Sequence, residues 1–120
     1  MTKIKIKRVY DPEEETDGYR VLVDKLWPRG MRKEHLHCDL WAKDIAPSTP
    51  LRQWYHQHTE NQWNEFVGKY VEELENSPAV RDFIDNIKDK KVVTLLYASK
   101  NAAENHALIL QQFLNNHTRQ

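Results

Sequence analysis

Covalent staples are missing from this sequence. Of 120 residues only Cys38 is a cysteine, which excludes an intrachain disulfide and points to a reducing, cytoplasmic setting. Glycine is scarce, at three residues, and none of them builds a glycine-rich phosphate loop. No apolar run approaches the ~20 residues that cross a bilayer, so no membrane segment is expected. The opening residues, MTKIKIKRVYD, carry lysines but no continuous apolar stretch, and read as no secretory signal. Repeats, low-complexity tracts and Gly/Ser linkers are absent too, so one α/β domain is expected over residues 1–120. Net charge is zero, which removes the simplest argument for a nucleic-acid partner.

What is present suits a folded domain. Hydrophobic residues are 39% and charged ones 30%, a balance that excludes a disordered chain. The charge is unevenly spread. Residues 1–33 carry nine Lys/Arg against six Asp/Glu, residues 34–89 five against eleven, and residues 90–120 four against one. The two positive segments are also those that read as strands and their following loops. A locally positive site on a neutral chain suits a small anion better than a long polyanion.

Residues 4–10 alternate, with Ile4, Ile6, Arg8 and Tyr10 on one face and Lys5, Lys7 and Val9 on the other, a strand with one solvated face. Asp11-Pro12 and Asp17-Gly18 break it. Residues 20–27 place Val21, Val23 and Trp27 opposite Leu22 and Leu26, and Val92 to Ala98 is likewise apolar on both faces. Such strands are central and covered on both sides. Helical stripes lie between and after them. Thr49-Pro50 opens one helix, with Leu51, Trp54, Tyr55 and His58 on one face. A Thr59–Gln62 capping box opens the next, which runs through Trp63, Phe66, Val67, Tyr70, Val71 and Leu74. Ser77-Pro78 opens a third. Asn101 with Glu104 opens the last, whose buried stripe is Ala103, His106, Ala107, Leu110, Phe113 and Leu114. The pattern predicts an α/β sandwich, a mostly parallel sheet with helices on both faces. Only about nine residues separate the first two strands, short for a helical crossover. That spacing leaves them either antiparallel or parallel through a compact loop.

Ligands of open α/β sheets sit beyond the carboxyl ends of the strands. The first strand delivers Arg8 and Tyr10 there, the second Asp24, Trp27 and Arg29, and the last Ser99 and Lys100. Ser99 and Lys100 run into a helix N-terminus, which either accepts an anion or is merely capped by Asn101. Arg29, between Pro28 and Gly30, offers a guanidinium for bidentate contact with phosphate or carboxylate. Arg8 and Asp24 are costly to bury alone and are expected to pair across adjacent strands. Ser48 and Arg52, one turn apart, form a second candidate anion contact or an ordinary cap. His106, one turn into the last helix, is either a buried histidine satisfied by a carbonyl or an acid/base group. His35, His37 and Cys38 lack the spacing of a metal site, His56 and His58 do not share a helix face, and no cofactor is expected.

Three stretches, RVYDPEEETDGYRVLVDKLWPRG, APSTPLRQW and LLYASKNAAENHALIL, resemble the bacterial proteins grouped as domain of unknown function 488, in their YeaO-like branch. The resemblance covers nearly the whole chain. It implies a small Rossmann-like sandwich in the cytoplasm, with the first two strands parallel, and no assigned activity. The motif positions it carries over are Arg8, Tyr10, Asp17, Gly18, Arg20, Asp24, Trp27, Pro28, Arg29 and Gly30, then Pro47, Ser48, Arg52, Tyr97 and His106. The larger branch of that family has cysteines around its last strand–helix junction. Tyr97 and Asn105 stand there in this chain, so no thiol chemistry is inferred.

The reading that results is a binder of a small phosphate- or carboxylate-containing ligand. Its walls would be Arg8, Tyr10, Asp24, Trp27, Arg29, Ser48, Arg52 and Lys100, with His106 as acid/base if the pocket is catalytic. Two rivals stand beside it. One is a nucleic-acid-associated regulator using the basic segment 1–33. The other is a protein-interaction module using the acidic helical face of residues 60–89.

Overall fold

A computed structural model describes residues 2–57 and 62–118. Four strands form one sheet: β1 (Lys3–Arg8), β2 (Tyr19–Leu22), β3 (Leu40–Trp41) and β4 (Val92–Tyr97). Four α-helices accompany them: α1 (Thr49–Gln57), α2 (Trp63–Glu75), α3 (Pro78–Ile87) and α4 (His106–Thr118). The strand order is β1-β4-β2-β3, and every neighbouring pair is parallel. The chain is therefore a small α/β fold, as the alternation of strand and helix patterns predicts. No helix among the described residues is long and apolar enough to cross a membrane.

The short link between β1 and β2 is explained by this order. The two strands are parallel but not neighbours, because β4 lies between them. Residues 9–18 cross β4 through a single 3-10 turn, Glu15–Asp17. An extended chain covers about 3.3 Å per residue, so ten residues easily pass two strand spacings of ~4.8 Å and return along a short strand. Gly18 closes the crossing with φ +66°, and a Cβ there would lie 2.4 Å from the Val92 carbonyl oxygen. Only glycine takes that conformation at that approach without strain.

The α-helices all join one core on one face of the sheet. Val21, Val23, Val93 and Leu95 meet Leu51, Tyr70, Phe83, Leu110 and Leu114 there. Tyr70 is fully buried, and its hydroxyl donates to the Ile45 carbonyl at 2.6 Å, so the one polar atom it brings inside is paired. Helical cover on the opposite face takes the form of single turns, Glu15–Asp17 and Lys33–His35, over a smaller cluster of Val9, Leu22, Leu36 and Leu96. That face of the sheet carries Lys7, Arg20 and Thr94, which a long apolar helix could not cover.

Local signals place most elements within a residue or two. The α2 stripe and the Ser77 cap of α3, whose Oγ accepts the Val80 N–H at 3.3 Å, are as the pattern predicts. At α1 the cap is Ser48, not Thr49, since the Ser48 Oγ accepts the Leu51 N–H at 3.2 Å. His58 and Thr59 lie outside the described residues, and the Gln62 side chain makes no cap bond.

Two elements differ. Asn101 Oδ1 accepts the N–H groups of Ala103 and Glu104 in an isolated turn, and α4 begins only at His106. Its cap is Asn105, whose Oδ1 accepts the Leu108 N–H at 3.1 Å, and Ala103 is exposed rather than buried. β2 stops at Leu22 instead of running to Trp27. Trp27 consequently joins the Leu22 side against Trp41, with ring centroids 5.4 Å apart, and Leu26 is 65% exposed. The two-residue β3 is too short to show a period and has no sequence signal.

Candidate functional site

Beyond the carboxyl ends of β2 and β4 the helix-side packing opens into a hollow of about 240 Å³. Three segments build its polar side: Asp24 to Leu26 after β2, Ser99 after β4, and Glu104 to His106 at the start of α4. Two helices build the rest, with Arg52, Tyr55 and His56 from α1 and Trp63 and Phe66 from α2. Ala46 and Pro47 complete the lining. This is where the strand-end rule for open α/β sheets puts a ligand.

His106 is the first residue of α4, not one turn into it. Its Nε2 lies 2.9 Å from the Val23 carbonyl oxygen and 3.2 Å from Asp24 Oδ1. Both neighbours accept, so Nε2 carries a hydrogen and donates to Val23, as the carbonyl-satisfied reading of this histidine requires. Asp24 uses its other oxygen, Oδ2, to accept the Ala98 N–H at 3.0 Å. Oδ1 is buried and makes no hydrogen bond of good geometry, with only the His106 proton nearby. An acceptor left so costs ~1–3 kcal/mol. The pair thus ties β2, β4 and α4 together beneath the hollow. Ser99 is committed locally, its Oγ accepting the Asn101 N–H at 3.1 Å.

Arg52 is different. It lines the hollow, and its guanidinium has no hydrogen-bond or ion-pair partner among the described residues. Lys25, also in the lining, has none either. Tyr55, Trp63 and Phe66 form an aromatic wall, with centroid separations of 4.6 Å for Tyr55–Phe66, 5.6 Å for Trp63–Phe66 and 6.3 Å for Tyr55–Trp63. Burial and then the nearby Glu104 carboxylate push the Tyr55 hydroxyl above its ordinary range, so it stays protonated as a donor.

Of the nine residues named from sequence, the fold brings Asp24, Arg52 and His106 to this hollow. The rest are placed elsewhere. Arg8 does not pair with Asp24, because β4 separates their strands. It instead donates to the carbonyls of Ser99 at 3.0 Å and Ala98 at 3.3 Å, with its guanidinium 5.0 Å from the Tyr10 ring. Tyr10 donates to the Arg29 carbonyl at 2.9 Å, and Trp27 to the Met31 carbonyl at 2.6 Å. Ser48 is bound to Glu73 through both its N–H and its hydroxyl. Arg29 and Lys100 are exposed and do not line the hollow. Of the two readings of Ser99–Lys100, an anion contact or plain capping by Asn101, neither has its helix N-terminus there, because α4 starts at His106 and Asn101 caps an isolated turn. Tyr55, Trp63 and Phe66 were legible only as apolar stripe positions, and the sequence does not mark which end of a stripe overhangs a gap.

A second polar cluster lies on the opposite face, and it is closed. Asp17, fully buried, receives Lys7 Nζ at 2.7 Å, the Arg20 guanidinium, and the Glu14 N–H at 3.0 Å. Burial alone would raise its carboxyl, but the bonds from Lys7, Glu14 and Arg20 outweigh burial and hold it at about 2. Arg20 also donates to the His37 carbonyl at 2.7 Å, and Thr94 to the Asp17 carbonyl at 2.6 Å. The His37 ring is held between Glu13 at 2.6 Å and Asp39 at 3.0 Å. Burial raises the Cys38 thiol, which favours its protonated form. No group of three or more His, Cys, Asp or Glu among the described residues could hold a metal ion.

Comparison with known proteins agrees with the resemblance in the motifs. An uncharacterised protein of Mycobacterium tuberculosis is 41% identical over 114 residues, 95% of each chain. The uncharacterised protein YeaO of Escherichia coli is 45% identical over 111 residues, 92% of this chain and 96% of its own. No solved structure matches. The family match runs over residues 3–120, through every strand, helix and lining residue described above, and by it the chain belongs to the DUF488 family, in the group described as the inactive DUF488-N3 subclade.

Proposed function

We propose that this protein binds a small anionic ligand, carrying phosphate or carboxylate, in the hollow at the carboxyl ends of β2 and β4, and does not turn it over. The observation that carries this reading is Arg52, a guanidinium in the lining of a hollow with no partner among the described residues. On the opposite face of the sheet the cations of Lys7 and Arg20 are matched by Asp17. A guanidinium facing a partly desolvated space is suited to an oxyanion, which it can hold through two parallel N–H bonds. Lys25 adds a second cation to the same lining.

Binding without turnover is supported by two points. The subclade is described as inactive. His106, the acid/base candidate named from sequence, donates its Nε2 proton to the Val23 carbonyl and so serves the frame of the site. The single cysteine supports a reducing, cytoplasmic place of action.

The test is titration of the full chain with inorganic phosphate and with acetate, followed by NMR. Saturable binding is expected, weakening with salt. It should fall roughly tenfold or more in Arg52→Ala, the scale of one charge-assisted bond. It should be unchanged in Arg81→Ala, which removes the same charge from exposed α3 surface. Equal loss in both variants, or no binding to the parent protein, overturns the proposal.

A further inference from the structure

Resting on that anion-binding reading, we infer that the ligand is a flat aromatic acid, a single ring system bearing one directly attached anionic group. Three independent features of the hollow converge on this. The first is size. A cavity of roughly 150 Å³ admits a benzene ring. The hollow here, about 240 Å³, accommodates a ring with its acid group.

The second feature is the wall. Tyr55 and Trp63 are only partly buried, although each packs on Phe66, so ring surface is left facing the hollow. The Ser99 hydroxyl and the Asn105 amide of the lining already bond to Asn101 and Leu108 within the chain, which does not suit a sugar phosphate. The wall presents aromatic faces and edges, which prefer another ring in offset or edge-on contact.

The third is the spacing between wall and cation. Arg52 and Tyr55 are three residues apart on α1 and therefore neighbours on one helix face, with Cβ atoms about 5–6 Å apart. A ring seated against Tyr55 places a directly attached carboxylate within reach of the Arg52 guanidinium. Glu104, also in the lining and near enough to Tyr55 to raise its hydroxyl, disfavours a second anionic group and so limits the ligand to one.

The experiment compares benzoate, nicotinate and indole-3-carboxylate with cyclohexanecarboxylate and inorganic phosphate. Each is titrated into the full chain, with calorimetry and the Trp63 indole resonance as readouts. At least one aromatic acid should bind about fivefold or more tighter than cyclohexanecarboxylate, the scale of one aromatic contact. It should shift the Trp63 resonance and weaken roughly tenfold in Arg52→Ala. Trp63→Leu, checked for retained fold by circular dichroism, should lose the preference for the aromatic over the saturated acid. Equal affinity for the saturated and aromatic acids, or Arg52-dependent binding of phosphate alone, overturns the aromatic assignment and leaves anion binding intact. Aromatic binding that survives Arg52→Ala overturns it as well. Failure of every anion to bind overturns both readings.

Discussion

The two faces of the sheet are built from opposite materials. On the helix side Val21, Val23, Val93 and Leu95 pack hydrocarbon against Tyr70, Leu110 and Leu114. On the other side the same strands present Arg20 and Thr94, and β1 adds Lys7, around a buried Asp17. Helices are thick and rigid, and where three of them end near one strand edge they leave a gap. That gap is the hollow, with an uncommitted cation in it. Loops and single turns follow the sheet closely and satisfy one another's polar atoms. Their cluster has a partner for every charge it buries. The richer collection of charged groups is thus the frame, and the poorer one is the candidate site.

Three measurements sharpen or break this contrast. The largest effect is expected from Asp17→Ala. It strands Lys7 and Arg20 without their carboxylate, and removing one partner of a buried ion pair costs roughly 3–5 kcal/mol. Urea unfolding measures it. A loss below about 1 kcal/mol would mean that the loop face is not held by this network.

Acid titration comes next. The Asp17 carboxyl is lowered from 3.8 to about 2 in the folded chain. A lowered carboxyl contributes stability above its unfolded value, and that stability is lost as pH falls through the folded one. About 2 kcal/mol should therefore disappear between pH 4 and pH 2. The loss should be accompanied by early exchange of amides in residues 13–20, around Asp17. Uniform exchange across both faces would count against the assignment.

The smallest effect is at His37. Its bond to Glu13 first, and that to Asp39 second, raise its pKa above 6.5. A raised histidine stabilises below its unfolded value, and the contribution fades as pH rises through the folded one. The ring is half exposed, so the loss should be slight and is best read from the His37 proton resonances. Glu13→Gln should bring that titration back toward 6.5, and an unchanged titration would refute the clamp.

Much of the frame was readable residue by residue. Alternation in residues 4–10 separates Ile4 and Ile6, which face the helices, from Lys7 and Val9, which face the loops. The α2 stripe and the Ser77-Pro78 start of α3 follow from period and cap alone. The start of α4 was less legible, because Asn101 and Asn105 are both good caps. The chain uses Asn101 for an isolated turn and Asn105 for the helix. The Arg8–Asp24 pairing failed for a different reason. It assumed that strands consecutive in sequence are neighbours, and β4 enters between them from 70 residues later.

Sequence alone determined that β1, β2 and β4 are strands and that four helices accompany them, with the apolar face of most, because those follow from periods of two and 3.6 acting over a few residues. It also determined the family. Only the tertiary structure decided that Asp24, Arg52 and His106 share one hollow while Arg29 and Lys100 stay outside it. Strand order and the gap where helices end depend on contacts between distant segments, and an aromatic side chain over a gap carries the same local signature as one in the core.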